Sequence, residues 1–400
     1  MKSNKLKVLS LMVGLGLTAH SYADITTMIK PKSVQEFYVG SWTAGAPDGL
    51  GALKPDFPSE GIYKVRLNAD GSLIPLSHIQ ANNPSWLVFS KNKQYVYVTN
   101  EDNADVEGKV SAFKIDENGD LKLLNAVDSL GQQPTHAALS PDNQFLFVAN
   151  YSARPEHAGV AIFALQKDGS LGQMVQNIPF LKGSNALPDR QADGHAHSIT
   201  FSPDGKTAYL ADLGSDVIRA YTYDVKAKQP LKRAEKLDLH FPAGSGPRHL
   251  IFSQNGDYAY ATTEMSAQVF TFKKVKGVYQ QIQQENLTEQ TDASFKGGAG
   301  LVLSPDQHFL YVGNRRKTNE IVVYSVNPET GKLTLVERTA SGGIEPRAFE
   351  IDASGNYLIV ANVFSNTVTE FKRNQQTGKL TPTHVALQIG LPTDIKFISK

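Results

Sequence analysis

Apolar and polar residues alternate in short runs along most of the chain, and one pattern of about eighteen residues occurs seven times. Its clearest copy runs from Pro247 to Glu264, PRHLIFSQNGDYAYATTE. An apolar run at Leu250–Ile251–Phe252 is followed by a polar turn at Gln254–Asn255–Gly256–Asp257, then by a second run from Tyr258 to Thr263. Alternation over so few residues, bounded by turn residues, predicts a pair of half-buried strands. The other copies begin at Pro84, Pro134, Ala196, Ala299, Pro346 and Pro392. Equivalent positions in the seven copies are Ser90, Ser140, Ser202, Ser253, Ser304, Asp352 and Ile398, separated by 50, 62, 51, 51, 48 and 46 residues. That spacing is the length of one four-stranded propeller blade with its loops.

Between copies the same order recurs. A third strand such as Gly159–Phe163 follows a polar loop, and an Asp-Gly turn such as Asp168–Gly169 leads to a fourth strand. Asp-Gly and Asn-Gly steps supply the positive φ of tight hairpins. No helical period longer than a turn or two competes. Order begins at Glu36–Trp42, which matches the second strand of the repeat, while the last copy, Pro392–Lys400, is a first strand alone. The C-terminal strand is therefore expected to complete the N-terminal blade and close the ring. The fold class is all-β: one seven-bladed β-propeller, four antiparallel strands per blade, over residues 36–400.

The N-terminus differs in kind. Lys2, Lys5 and Lys7 precede an apolar stretch from Val8 to Leu17, and Ser21–Tyr22–Ala23 offers small residues where a signal peptidase reads. This predicts a signal peptide over 1–23 and a periplasmic or secreted protein; the stretch is shorter than the roughly 20 residues that span a bilayer. A mobile lead-in is expected at 24–35. Without residues 1–23 the chain carries 37 basic and 39 acidic residues, a charge of −2 with His neutral. Such a balance offers no footprint for nucleic acid or an anionic membrane. The absence of cysteine rules out disulfides, thiolate catalysis and cysteine-ligated zinc.

In an antiparallel blade the start of the first strand and the end of the second share one end of the sheet, near the central channel. First-strand starts contribute Trp86, His136, His195, His197, Arg248, His249 and Arg347. Second-strand ends contribute Ser41, Trp42, Asn100, Glu101, Asn150, Tyr151, Asp212, Glu264, Asn314, Arg315 and Asn362. Taken singly, such histidines are most often packed or solvated, such asparagines make turns, and Ser-Pro-Asp triplets are turn chemistry. Histidine, arginine and carboxylate gathered on one rim instead mark a binding or reaction site. Three long loops, Thr43–Glu60, Ser152–His157 and Lys182–Gly194, belong to the same face.

Asp193–Gly194–His195–Ala196–His197, Ala211–Asp212–Leu213–Gly214, Gly244–Ser245–Gly246–Pro247–Arg248–His249 and Gly313–Asn314–Arg315 resemble the seven-bladed lactonase family, which contains bacterial 6-phosphogluconolactonases and fungal carboxymuconate lactonizing enzymes. The resemblance covers residues 36–400. It implies a reaction centre of His197, Arg248, Glu264 and Arg315, with His195 as an alternative to His197. Around it, His136, His195, Asp212, His249, Arg347, Trp42 and Tyr151 are expected to bind a small lactone or carboxylate substrate. The chain departs from the family pattern at Gly300, Val302 and Ala348, where polar residues are usual.

These residue types suit lactone hydrolysis. Glu264 or His197 can take a proton from water, and Arg248 or Arg315 can stabilise the oxygen on which charge grows. The spacing of His197, Asp212 and Glu264 matches no compact metal motif, so neither metal nor other cofactor is expected. Two other functions remain open on sequence alone: lactonization of an unsaturated dicarboxylate, with arginines clamping the acid groups, and a non-catalytic binding propeller of the cell envelope, favoured by Gly300, Val302 and Ala348.

Overall fold

Each repeat folds as a strand pair because its turn is built from its own side chains. In the computed structural model, which describes residues 34–45, 57–102, 107–152, 159–180 and 182–398, the serine ending the first strand closes this turn twice. Its hydroxyl donates to the Asp or Asn two residues on, at 2.7 Å for Ser140–Asp142 and 2.6 Å for Ser202–Asp204. The same oxygen accepts the N–H that opens the second strand, at 3.0 Å for Phe145 and 3.1 Å for Thr207. The last full repeat exchanges the two roles: Asp352 accepts from Tyr357 N–H at 2.7 Å and from the Ser354 hydroxyl. The Ser-Pro-Asp triplets are thus turn chemistry, as expected.

Seven four-stranded antiparallel sheets result. Their first strands touch one another around the ring and are innermost. In the fourth blade the outer strand is split by a 3-10 turn at Glu235–Leu237, so Leu231–Arg233 and Leu239–His240 both pair with Val217–Tyr223. The ring closes as predicted. Pro392–Phe397 pairs with Gln35–Ser41, placing Phe37 opposite Phe397. Gln35, expected in the lead-in, is the first residue of that strand. The leader at 1–23 and nearly all of the lead-in lie outside the described residues, as do 46–56 and 153–158 of two rim loops.

The apolar core lies between blades. Phe147, Val160 and Ile162 of the third blade pack with Ile199, Ala208 and Leu210 of the fourth; Phe37 and Val39 of the first pack with Ile359 and Ala361 of the seventh. Flat blade faces and this apolar filling leave polar chemistry to the channel and its rims. No helix among the described residues is long and apolar enough to cross a membrane.

Candidate active site

The inner strands share a defect at their first turn of pairing. Partners skip from Pro84 to Trp86, Pro134 to His136, Ala196 to Ser198, Pro247 to His249 and Pro346 to Ala348, and from Gly298 to Leu301 in the sixth blade. In the closing strand the skip falls between Pro392 and Asp394. A bulge leaves its extra residue out of the in-and-out alternation and re-aims the side chain. The residues so freed include His197, Arg248 and Arg347, at matching places in three blades, with Ser85, Thr135 and Thr393 at three others. The sixth blade contributes Ala299 and Gly300, which carry no side chain able to cross the channel.

The second strands end in a matching clasp. Glu101, Glu264 and Arg315, each just past its strand, donate backbone N–H bonds to Asn83, Gly246 and Gly297 at 2.9, 2.7 and 2.9 Å. Asparagines one residue earlier tie the same loops: Asn100, Asn150, Asn314 and Asn362 donate to carbonyls at 2.6, 3.1, 3.2 and 3.3 Å. Those asparagines are structural.

Bulge and clasp converge on Glu264. Its Oε2 lies 3.0 Å from Arg315 Nη2, 3.3 Å from Arg248 Nε and 3.9 Å from His197 Nε2. Its Oε1 lies 2.8 Å from Arg190 Nη2 and 3.9 Å from Arg316 Nη2. The four residues expected to form the centre are therefore together. His195 stands apart: its ring stacks on Tyr151 at 4.4 Å, and its Nδ1 donates to the Tyr151 carbonyl at 2.7 Å. Of the two candidate histidines, His197 is the one beside the carboxylate. Its Nδ1 is buried with no hydrogen-bond partner among the described residues.

Deeper in the channel, rings from four blades pack together, tilted or edge-on to one another. His249 lies 5.3 Å from His197, 5.5 Å from His136 and 5.3 Å from Trp86. Beyond this layer a cavity of about 500 Å³ continues toward the opposite mouth, lined by Trp86, His136, Glu350 and Lys396. Arg347 sits beside the centre and is held by Glu101 at 3.2 Å and the Ser85 hydroxyl at 2.7 Å.

Two residues expected to touch substrate hold supporting places instead. Trp42 is fully buried beneath the Arg347 guanidinium, 5.1 Å from its ring centre. Asp212 is also fully buried; it accepts the His195 N–H at 3.0 Å and pairs with Arg219 at 2.7 Å. Both fix rim residues and neither has surface to offer a ligand.

Three contributors were not foreseen from the sequence: Arg190, Arg316 and Glu345. Glu345 Oε1 lies 3.3 Å from Arg315 and 3.4 Å from Arg316. Arg316 and Glu345 both adopt left-handed backbone, φ 62° and 61°. Such strain in non-glycine residues collects at functional sites. Arg190 was at least inside a loop singled out for its length.

Electrostatics follow from this packing. Burial alone would push the Glu264 carboxyl up, but Arg315, Arg190 and Arg248 override it and hold the group well below its usual range. Arg248 is pushed down to about 9 by burial and by Arg315, and so stays charged at neutral pH. Burial, reinforced by Arg248, keeps His197 and His249 well below 6.5; burial and Lys396 do the same for His136. Below pH 6.5 an unfolded chain takes up protons that these folded histidines refuse, so folding loses stability as pH falls from 6.5 toward the depressed values. Above 6.5 they contribute no slope. Glu101, Glu350 and Asp394, raised by burial, act in the opposite sense. The histidine share is isolated by comparison with His249→Gln: between pH 7 and 5 the parent is expected to lose more melting temperature than the variant. Equal losses would mean that His249 is protonated in the fold.

Among the described residues no group of three His, Asp or Glu side chains is placed to hold a metal ion. A closed seven-bladed ring whose bulged inner strands and second-strand ends bring arginine, glutamate and histidine together defines the chain as a propeller of the lactonase type. It belongs to the family described as lactonase, 7-bladed beta-propeller, whose family model matches residues 36–397. It is 34% identical to a 6-phosphogluconolactonase of Formosa agariphila, over 86% of this chain and 94% of that one. It is 30% identical to the 6-phosphogluconolactonase of Bacillus subtilis, over 90% and 97%. Among solved structures, the periplasmic gluconolactonase of Pseudomonas aeruginosa superposes with a TM-score of 0.84 at 37% identity, covering 92% of this chain and 99% of that one.

Proposed function

We propose that the protein is an exported hydrolase that opens a sugar lactone at this rim without a metal. The observation that carries the reading is the buried His197 ring, with one nitrogen facing Glu264 and the other, Nδ1, without a hydrogen-bond partner among the described residues. Kept neutral, His197 receives a proton from water at Nδ1 while the water oxygen attacks the lactone carbonyl carbon. Glu264 steadies the imidazolium that forms, as a carboxylate does behind a catalytic histidine. Arg248 and Arg315 stand on the same side of the centre to neutralise the carbonyl oxygen as it becomes an oxyanion. Collapse breaks the bond to the ring oxygen, which takes the proton back from His197 and leaves a free acid.

The gluconolactonase and 6-phosphogluconolactonase activities named for the relatives support a sugar lactone as substrate. Export is supported by the basic and apolar leader and by the periplasmic relative. One preparation tests the whole reading. Expressed with its own N-terminus, the protein is expected in the envelope or medium fraction beginning at Asp24. At mildly acidic pH, where spontaneous opening is slow, it should open glucono-1,5-lactone or its 6-phosphate well above the rate in buffer, unchanged by dialysis against EDTA. An unprocessed leader would refute export, dependence on metal would refute the mechanism, and no excess rate on either lactone would refute the activity.

A further inference from the structure

Among the described residues, the five guanidinium groups around Glu264 and Glu101 are not alike. The side chains of Arg248, Arg315 and Arg347 are 4%, 3% and 5% exposed, whereas Arg316 is 26% and Arg190 39% exposed. The two exposed groups approach the same atom, Glu264 Oε1, at 3.9 and 2.8 Å. The two buried partners of Glu264 meet it at Oε2. If Arg190 leaves, Glu264 still keeps two buried charge partners at Oε2.

The backbone that carries Arg190 is fixed. Arg190 is the third residue of a four-residue helix, Pro188–Gln191. The neighbouring Gln191 side chain is fully buried and donates to the Leu213 carbonyl at 2.9 Å and to Asp216 at 2.8 Å. Arg190 is thus a long, part-exposed side chain on a rigid post. Its second partner, the Tyr151 hydroxyl at 3.0 Å, is neutral.

Charge gives this arm a task. Around Glu264, the four guanidinium groups of Arg190, Arg248, Arg315 and Arg316 face two carboxylates, Glu264 and Glu345. Among the described residues the cluster holds two more guanidinium groups than carboxylates, and the exposed pair is the one a ligand reaches first. Guanidinium groups meet carboxylate and phosphate oxygens through paired N–H donors.

We propose that Arg190 is a displaceable specificity residue: it holds Glu264 Oε1 in the free protein and, joined by Arg316, turns to a phosphate or carboxylate carried by an acid-bearing sugar lactone. The ligand anion takes the place that Glu264 Oε1 holds beside Arg190 in the free protein. This deepens the lactonase reading by naming the substrate's second functional group, and it rests on that reading for the word lactone alone.

The experiment compares the parent with Arg190→Gln and Arg190→Lys on three lactones: neutral glucono-1,5-lactone, its 6-phosphate, and glucaro-1,4-lactone, which carries a free carboxylate. For whichever acid-bearing lactone is the substrate, Arg190→Gln should lower kcat/KM roughly 10- to 100-fold, chiefly through KM, the range of a lost charge-assisted hydrogen bond. Opening of the neutral lactone, which offers no anion for Arg190 to meet, should fall by a clearly smaller factor. Arg190→Lys should recover part of the loss, and the arm that responds identifies phosphate or carboxylate. Equal losses on neutral and acid-bearing lactones, or none, would overturn the proposal. Binding of 6-phosphogluconate and glucarate by calorimetry decides it independently of turnover. Affinity that falls at least tenfold in Arg190→Gln supports the anion site even if no lactone is opened, whereas affinity indifferent to Arg190, or no binding at all, refutes it.

Discussion

Glu264→Gln is expected to lower the catalysed rate by about 10²- to 10⁴-fold, the range for loss of one member of an acid–base pair. Glutamine keeps the shape of the side chain and removes its charge, so His197 loses the group that stabilises its protonated form. The same substitution unbalances the centre. Arg248, Arg315 and Arg190 all lie within 3.3 Å of the carboxylate, and the first two are buried. Leaving buried cations uncompensated costs about 3–5 kcal/mol in other proteins. Loss of activity and loss of stability should therefore appear together, the first in single-turnover rates and the second in urea denaturation. Arg248→Ala separates them: it removes a cation that sits among others, so it should cost about 10²- to 10³-fold in rate as an oxyanion donor with a smaller penalty in stability. A Glu264→Gln rate within a few-fold of the parent would leave Glu264 as a structural counter-charge only.

Much of this arrangement was legible in the chain, and the reasons for what was not are physical. The ring could be read because each blade is built from local alternation and a self-closing Ser–Asp turn, and because the first copy lacked the strand that the last copy supplied. The rim could be read because strand order alone puts strand starts and ends on one face. What alternation cannot reveal is the bulge. Arg248 and His249 are consecutive, and a regular strand would send them to opposite faces, yet one meets Glu264 and the other the ring layer in the channel. Nor does position at a strand end reveal burial: Asp212 and Trp42 read like Glu264 and Tyr151 in the sequence, but each lies under the rim. Arg190 was invisible for another reason. Loops carry no period, and its contact with Glu264 spans 74 residues.

Ending the chain at Leu391 is expected to prevent folding altogether. The nine residues removed include one strand out of the blades' twenty-eight regular positions, yet that strand touches three blades. Ile395 and Phe397 are 1% and 6% exposed and pack with Phe37, Val39 and Ile359 across the first and seventh blades. The Thr393 hydroxyl donates to the Pro84 carbonyl at 2.7 Å, and Asp394 accepts the Leu87 N–H at 2.9 Å, tying in the second blade. Arg347 of the seventh blade donates to the Thr393 carbonyl at 2.9 Å. Emptying two large buried positions costs about 2–5 kcal/mol each, comparable with the whole stability of an ordinary domain before the lost backbone pairs are counted. The strand Gln35–Ser41 would also become a bare, apolar edge, which invites aggregation. The truncated chain should show no cooperative melt and should sediment as large species. A permuted chain distinguishes pairing from connectivity. It would begin at Pro392, run through Lys400 and a hairpin turn into Gln35, and end at Leu391, giving the first blade the strand order that every other blade already has. Recovery of a cooperative melt in the permuted chain would place the stabilisation in the strand itself, whereas a truncated chain that melts like the parent would refute the closure argument.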